Sequence, residues 1–361
     1  MTQQPPACDI LLLGTGFFAE VMLTDLSATA TTPLRVVVGG RNAARMGWLV
    51  DACRSRAVIH DTPIRFDWRE VDFTSAETLA EAIGALRPKV VVQAASLQSP
   101  WKVDIGDSAW SHLVARAGFG TTIAFNAMLA WRAAEAVRLL GDRCHFVNTC
   151  YPDGVNPLLE AAGLPITTGV GNIGIFPGLI GGRLPAEDLA DFRVLAHHRH
   201  LVEWRKPGPE RAGAPVRAWC GAKELEGINA MTLDIQLPYR DLNLISAASA
   251  VPVLLALAGE GARRCHVPGP YGLPGGYPAT VDETGLRLDL PPGLSEAEAI
   301  AWNRQFEEAD GVSVRDGRVT YSANARAALA EHSVEIAEGF AAADLEDAFA
   351  AVTALRERLG G

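Results

Sequence analysis

Asp9-Ile10-Leu11-Leu12-Leu13-Gly14-Thr15-Gly16-Phe17-Phe18-Ala19 runs from a short apolar strand through a glycine turn into a helical pattern reaching about Leu26. Each residue type has a physical role in such a unit. Gly14 makes the tight turn, Gly16 lets the bare backbone approach a pyrophosphate, and the small Ala19 lets helix and strand pack closely. The first N–H groups of the helix then face phosphate. A glycine turn without a ligand has the same local pattern, so the surrounding elements carry the argument.

Those elements alternate. Leu34–Val38 is β-branched and apolar and precedes a helical stretch from about Ala43 to Arg54. Arg65–Asp72 alternates as a strand, and Ser75 is placed to cap a helix ending at Leu86. Lys89–Ala94 contains Val90-Val91-Val92, typical of a strand buried on both faces. Helical sequence fills Thr121–Leu140, His145–Val147 reads as a fifth strand, and Ile166–Val170 as a sixth. The pattern predicts an α/β fold: a doubly wound parallel sheet with right-handed crossovers.

The texture changes near Gly178–Leu184. This predicts a dinucleotide-binding domain over 1–180, followed by an α+β domain over 181–361 for substrate and oligomer contacts. In the second half, Phe192–Val202 and Ala214–Cys220 read as strands, and Asp241–Leu257 as a helix interrupted at Pro252. Val267–Pro278, with four Gly and four Pro, reads as loop. Arg315-Asp316-Gly317-Arg318 is a hairpin signal, and Asn324–Gly339 and Ala343–Leu359 close the chain as helices.

Composition narrows the function classes. The 361 residues carry 32 Lys plus Arg against 42 Asp plus Glu, a net charge of −10, which argues against nucleic acid as a partner. With 48% hydrophobic and 20% charged residues the chain matches ordinary globular proteins. Met1–Ala7 has no basic leader pattern, and the apolar stretch Ala247–Ala258 is shorter than the ~20 residues of a membrane span. Six cysteines form no CxxC pair. These features predict a cytoplasmic protein with reduced thiols that acts on a small molecule away from membranes. The Tyr-x-x-x-Lys pair of short-chain dehydrogenases is missing. So are GxxxxGK[ST], HExxH and GxSxG, which disfavours a P-loop NTPase, a zincin and an α/β-hydrolase.

Candidate ligand residues follow from the strand ends. Cofactor contacts are expected from Gly14, Thr15, Gly16, Phe17, Phe18 and Ala19. The second strand ends in Gly40-Arg41-Asn42 without the carboxylate that holds the ribose hydroxyl of NAD, and Arg41 suits a 2′-phosphate, which favours NADP over NAD. A lone Arg on a solvated surface is the plainer alternative for Arg41. Asp72 ends the third strand near the adenine edge, and Ala94, Ala95 and Ser96 leave room at the end of the fourth. After the fifth, Asn148 is a candidate to orient a carbonyl or the nicotinamide amide, whereas Cys150 has no adjacent base to make it a nucleophile.

His197-His198-Arg199-His200 places three of the eight histidines in four residues at the end of an expected strand. There His198 and His200 share a face, and either is a candidate acid/base for carbonyl reduction. A structural role for the cluster stands as the alternative, and no metal is expected because close Cys or carboxylate partners are missing.

Residues 8–98 resemble the NADP-binding half of saccharopine dehydrogenase-like proteins. The likeness is carried by Gly14–Ala19, Val36-Val37-Val38-Gly39-Gly40-Arg41-Asn42, Val71-Asp72-Phe73-Thr74-Ser75 and Val90-Val91-Val92-Gln93-Ala94-Ala95. Residues 90–205 resemble lactate/malate dehydrogenases and their nucleotide-dependent glycosidase relatives in layout. Here the matching segments are Ala94–Pro100, Phe146-Val147-Asn148, Gly169-Val170-Gly171-Asn172 and Val194-Leu195-Ala196-His197-His198. The second resemblance implies a Rossmann fold and a catalytic His at His198, or at His200 if the count shifts by two. It departs at Ile173–Leu179, which lacks the Arg that clamps a 2-hydroxy acid.

Together these readings imply an NADP-preferring oxidoreductase, NAD remaining possible as cofactor. It would transfer hydride to or from a carbonyl or imine carbon of a small, amino-acid-derived substrate, in a homo-oligomer. Two other readings stay open: a non-catalytic NADP-binding regulator, and an NAD- and metal-dependent glycosidase-like enzyme.

Overall fold

The computed structural model describes residues 8–361 except 100, 101, 104 and 142. Met1–Ala7 and Pro100, which entered the sequence reading, lie outside the described residues.

The first half is the expected parallel sheet. Strands β1 (Ile10–Leu13), β2 (Arg35–Gly40), β3 (Arg65–Glu70), β4 (Val90–Gln93), β5 (His145–Asn148) and β6 (Thr168–Gly169) are ordered β3-β2-β1-β4-β5-β6. Every pair is parallel, with Ile10 beside both Val36 and Val90. That order is the doubly wound Rossmann arrangement. The helices that cross between strands are α1 (Phe17–Thr29), α2 (Ala43–Ile59), α3 (Ala76–Leu86), α4 (Ala109–Ala117) and α5 (Ile123–Leu139). Then α6 (Pro152–Ala161) links β5 to β6, and α7 (Ile175–Gly181) follows. Ser75 caps α3 by accepting from Thr78 N, as its sequence position implied, and Asn42 caps α2 by accepting from Arg45 N.

All four residues of β1 and of β4 are buried, as strands covered on both faces must be. Their side chains alternate between two apolar clusters. Ile10 and Leu12 join α1, α2 and the later helix at 243–257, whereas Leu11 and Leu13 join α3, α4, α5 and the C-terminal helix.

After α7 the sheets become antiparallel. β7 (Phe192–Leu195) pairs with β8 (Arg217–Cys220), which pairs with β9 (Lys223–Glu224), and α8 (Arg199–Trp204) lies between β7 and β8. Next come α9 (Ile228–Met231) and α10 (Asn243–Leu257), the latter running through Pro252. A second sheet contains β10 (Arg263–Pro268), β11 (Gly276–Asp282) and β12 (Gly285–Leu288), and is followed by α11 (Glu296–Arg304) and α12 (Glu307–Asp310). A third contains β13 (Val312–Arg315), β14 (Arg318–Tyr321) and β15 (Phe340–Ala341), with helices α13 (Ala323–Ala330), α14 (Val334–Ala337) and α15 (Leu345–Arg358). The change of sheet type falls beside the expected boundary, but the two large apolar clusters cross it. Helix α10 packs on α1, and α15 packs on α5.

Three expectations need correction. Phe192–Val202 is not one strand: β7 stops at Leu195 and the chain turns into α8. The turn is made by side chains, since His198 N donates to Asp153 Oδ1 and Arg199 N to His197 Nδ1. Val267–Pro278 is loop only over 269–275, because Val267 and Pro268 end β10 and Gly276–Pro278 begin β11. Pro278 fits there since the β12 ladder ends at Ala279, and its carbonyl accepts from Asp289 N, so the missing N–H lies on that open side. Asn324–Gly339 is two helices, because Ser333 ends the first register and caps α14 by accepting from Ile336 N.

Candidate functional site

A cleft of about 1250 Å³ opens at the carboxyl ends of the parallel strands, where the strand order reverses between β1 and β4. This is where doubly wound folds bind ligands. One end is backbone. Gly14 holds φ +128°, and a Cβ there would lie 2.7 Å from Ala95 N, so the turn accepts only glycine. Gly16 is the N-cap of α1 with no side-chain cap, and a Cβ there would meet nothing within 4 Å. The uncapped N–H groups of a 13-residue helix therefore face open space, as a phosphate cradle requires.

Gly14, Thr15, Gly16, Phe17 and Phe18 all line the cleft, as do Gly40, Arg41, Asn42, Asp72, Ala94, Ala95 and Ser96. Ala19 instead sits fully buried in the interface between α1 and the sheet, which matches its packing role. Arg41 is exposed at the edge, while Arg45 nearby is tied to Glu20 at 2.6 Å. The Asp72 carboxylate accepts from Thr74 N and Oγ1, which makes it a turn brace at the cleft edge.

The other end is built of side chains from distant segments. His198 lines the cleft, its side chain 13% exposed, with Nδ1 2.8 Å from Asp310 Oδ1. Asp310 is buried, and its Oδ2 accepts from Tyr151 Oη at 2.7 Å. Tyr151 stands at φ +44°, a conformation that costs a side-chain-bearing residue ~1–3 kcal/mol, and its ring packs edge-on against Phe119 and His198. Asp153 holds the backbone of His198 and also accepts from Asn172 Nδ2.

Electrostatics separates the histidines. Burial opposes charge on His198, but the Asp310 carboxylate beside it outweighs this and holds its pKa above the ordinary value. Burial pushes the Asp310 carboxyl up, but His198 and the Tyr151 hydroxyl outweigh that and hold it well below the usual carboxylate range. Burial and the Asp310 charge drive Tyr151 far up, so it stays a neutral donor. Burial brings His200 down to about 4.

His200 does not share the exposure of His198, because in a turn and helix the two no longer lie on one face. Its Nδ1 meets His197 N and its Nε2 the Ala214 carbonyl, and its ring stacks on Trp302 and packs edge-on against Phe306. Nor does Asn148 reach the cleft: Oδ1 accepts from Cys150 N and Nδ2 donates to Cys150 O and Asn156 Oδ1. It braces the turn that carries Tyr151. Burial raises the Cys150 thiol to about 11, which leaves it unreactive at neutral pH.

Sequence reasoning did not single out Asp310, Tyr151 or Asp153. The Pro-Asp-Gly at 152–154 reads locally as a turn, and Asp310 lies 112 residues from its His partner. Only the fold brings them together. Among the described residues, no group of three His, Cys, Asp or Glu side chains is placed to hold a metal ion, and no helix is long and apolar enough to cross a membrane.

No family model and no curated protein matches the chain. Solved structures do. Malate dehydrogenase from Cryptosporidium parvum aligns with a TM-score of 0.51 at 12% identity, covering 82% of this chain and 96% of that one. The minor L-lactate dehydrogenase from Enterococcus mundtii gives 0.49 at 14% identity, covering 84% and 96%. Malate dehydrogenase from Salinibacter ruber gives 0.47 at 13%, also covering 84% and 96%. At such identity the likeness to the first is one of fold.

Proposed function

We propose that the protein is an NADP-preferring oxidoreductase, acting on a carbonyl or imine carbon of a small, amino-acid-derived substrate. One observation carries this reading: an imidazole held by a buried carboxylate opens on the same cleft as the uncapped GxGxxA turn. The fold shared with a malate dehydrogenase supports it, and the resemblance of residues 8–98 to saccharopine dehydrogenase-like proteins underlies the substrate class.

The residues present fit a dinucleotide. Gly16 and the first turn of α1 would hold the pyrophosphate, Gly40–Asn42 and Asp72 would border the adenosine, and Arg41 would meet a 2′-phosphate. When bound, the nicotinamide would supply or accept the hydride. His198 gives a proton to the substrate heteroatom in reduction and takes it back in oxidation. Asp310 fixes the imidazole through Nδ1 and leaves Nε2 toward the cleft. Tyr151 keeps Asp310 in place from its other oxygen. In this assignment residues 1–180 hold the cofactor, and 181–361 supply most substrate-side groups and the contacts of a cytoplasmic homo-oligomer.

The test is NADPH consumption with a panel of 2-oxo acids, alone and with amino acids. Turnover that falls by ~10²–10⁴ in His198→Gln, while NADPH still binds, is the expected result. NADPH binding with no turnover across the panel favours a regulator instead.

A further inference from the structure

Beyond His198 the cleft continues into an arm between α4, α5 and α15. Trp110 packs edge-on against Phe125 at 5.9 Å, and Phe125 edge-on against Phe349 at 5.6 Å, so three aromatic rings hold these helices together. On the cleft side of that junction stand Ser111, Val114, Asn126, Leu129 and Phe349. Ala115 and Gly118 carry the same face of α4 onward to Phe119, whose ring lies 5.5 Å from the His198 imidazole. This wall is apolar apart from Asn126 and Ser111, whose hydroxyl is bonded to that of Ser108. Apolar surface with a few placed polar groups is the usual make-up of a ligand pocket.

Asn126 has hydrogen-bonding capacity left over. Its Nδ2 donates to the Thr122 carbonyl and to Thr122 Oγ1, each at 3.0 Å, which uses both of its hydrogens. Thr122 Oγ1 gives its own hydrogen to the Phe119 carbonyl at 2.8 Å, so it accepts from Asn126 and the amide has one orientation. Oδ1 is thereby fixed as an acceptor, and among the described residues no donor reaches it. Asn126 is only 2% exposed, and it lines the cleft. A carbonyl oxygen so nearly buried gains most from an N–H or O–H that a ligand brings to it.

We propose that this arm is the side-chain pocket of the substrate, and that it takes an apolar, ring-sized side chain ending in a hydrogen-bond donor to Asn126 Oδ1. The ~2.0 Å rise per residue of the 3₁₀ turn from Phe119 to Thr122 sets the Asn126 amide about 6 Å beyond Phe119, on the order of 10 Å from the imidazole. A methyl group beside the reacting carbonyl falls short of that span, whereas a para-hydroxyphenyl group covers it. The arm adds contacts from the first half of the chain to the substrate-side groups of 181–361. This inference rests on the oxidoreductase reading for which end of the ligand reacts, while binding in the arm is testable alone.

The experiment is calorimetric titration of para-hydroxyphenylpropionamide and phenylpropionamide, uncharged probes that differ only in the donor, into protein with and without saturating NADP⁺. The hydroxylated probe is expected to bind at least about fivefold more tightly. Asn126→Leu is expected to remove that difference, with NADP⁺ affinity within about twofold of wild type. Ala115 is exposed, so Ala115→Phe spares the core and obstructs the arm, and it is expected to weaken both probes at least about tenfold. Equal binding of the two probes to wild type, binding of neither, or unaltered affinities in Ala115→Phe overturns the pocket. A preference that persists in Asn126→Leu also overturns it, as does a loss of NADP⁺ affinity there, which assigns the acceptor to the cofactor. Circular dichroism checks each fold, and if Asn126→Leu does not fold, the probe pair and Ala115→Phe still decide. Failure of wild type to bind NADP⁺ contradicts the oxidoreductase reading alone, since the cofactor-free titrations still decide the arm.

Discussion

Under the proposed function, the two ends of the cleft would hold a ligand in different ways. At Gly14–Ala19 the ligand-facing groups are backbone N–H donors, and the residues matter mainly for what they leave out: a side chain at Gly16 and bulk at Ala19. At His198 the groups are side chains, fixed by partners on α6 and α12, 45 and 112 residues away. The first arrangement is local and tolerates change around it. The second is a connected buried network, in which loss of one member leaves another unsatisfied.

The largest effect that sharpens this contrast is expected for His198→Gln. Turnover should fall by ~10²–10⁴ with dinucleotide affinity unchanged, measured by steady-state kinetics beside equilibrium titration. A fall of less than tenfold would remove His198 from proton transfer. Asp310→Asn should be nearly as severe, and should also lower the His198 pKa, to below its ordinary value, in an NMR titration, because the raising charge is gone and the opposing burial remains.

The two glycines divide the backbone end in the same way. Gly14→Ala places a methyl against Ala95 N in a left-handed conformation, and should destabilise the fold by a few kcal/mol in urea titration. At Gly16 a Cβ meets no protein atom within 4 Å, so in Gly16→Val melting should change little while dinucleotide affinity drops at least about tenfold. Equal loss of stability in both would erase the distinction between turn and cradle.

These differences also explain what could be read in advance. Residues 10–94 were legible because parallel strands buried on both faces must be apolar runs and the turn between β1 and α1 must be glycine. The 192–202 segment misled because apolar residues return at Leu201 and Val202, whereas the end of its strand depends on Asp153, a residue brought near by β5 and α6. The two ends of 267–278 misled because Gly and Pro mark loops by default, and only the pairing with β12 shows where a proline is harmless. Asp310 carried no local signal at all. Sequence spacing reveals sites made from backbone, and three-dimensional pairing reveals those made from side chains.

A middle-sized effect is expected in the pH dependence of stability. The raised His198 pKa contributes stability that is full below ~6.5 and is lost as pH rises through the folded value. The lowered Asp310 pKa contributes stability that is full above ~3.8 and is lost as pH falls through its folded value. The pair should therefore stabilise most between those limits, and Asp310→Asn should flatten both limbs in unfolding curves taken across pH. Tyr151→Phe removes a donor from the Asp310 anion. It should raise the His198 pKa further and move the reductive pH profile toward alkali, a change that packing loss alone would not cause. Smallest of all is the expected effect of His200→Gln on that profile: none, with some loss of stability from the aromatic core.

The central claim is that the glycine turn cradles a dinucleotide phosphate, and calorimetric titration of NADPH into wild type and Gly16→Val tests it most directly. The account predicts saturable binding to wild type that weakens at least about tenfold in Gly16→Val. No heat from NADPH or NADH at millimolar concentration, or the same affinity in both proteins, would contradict it.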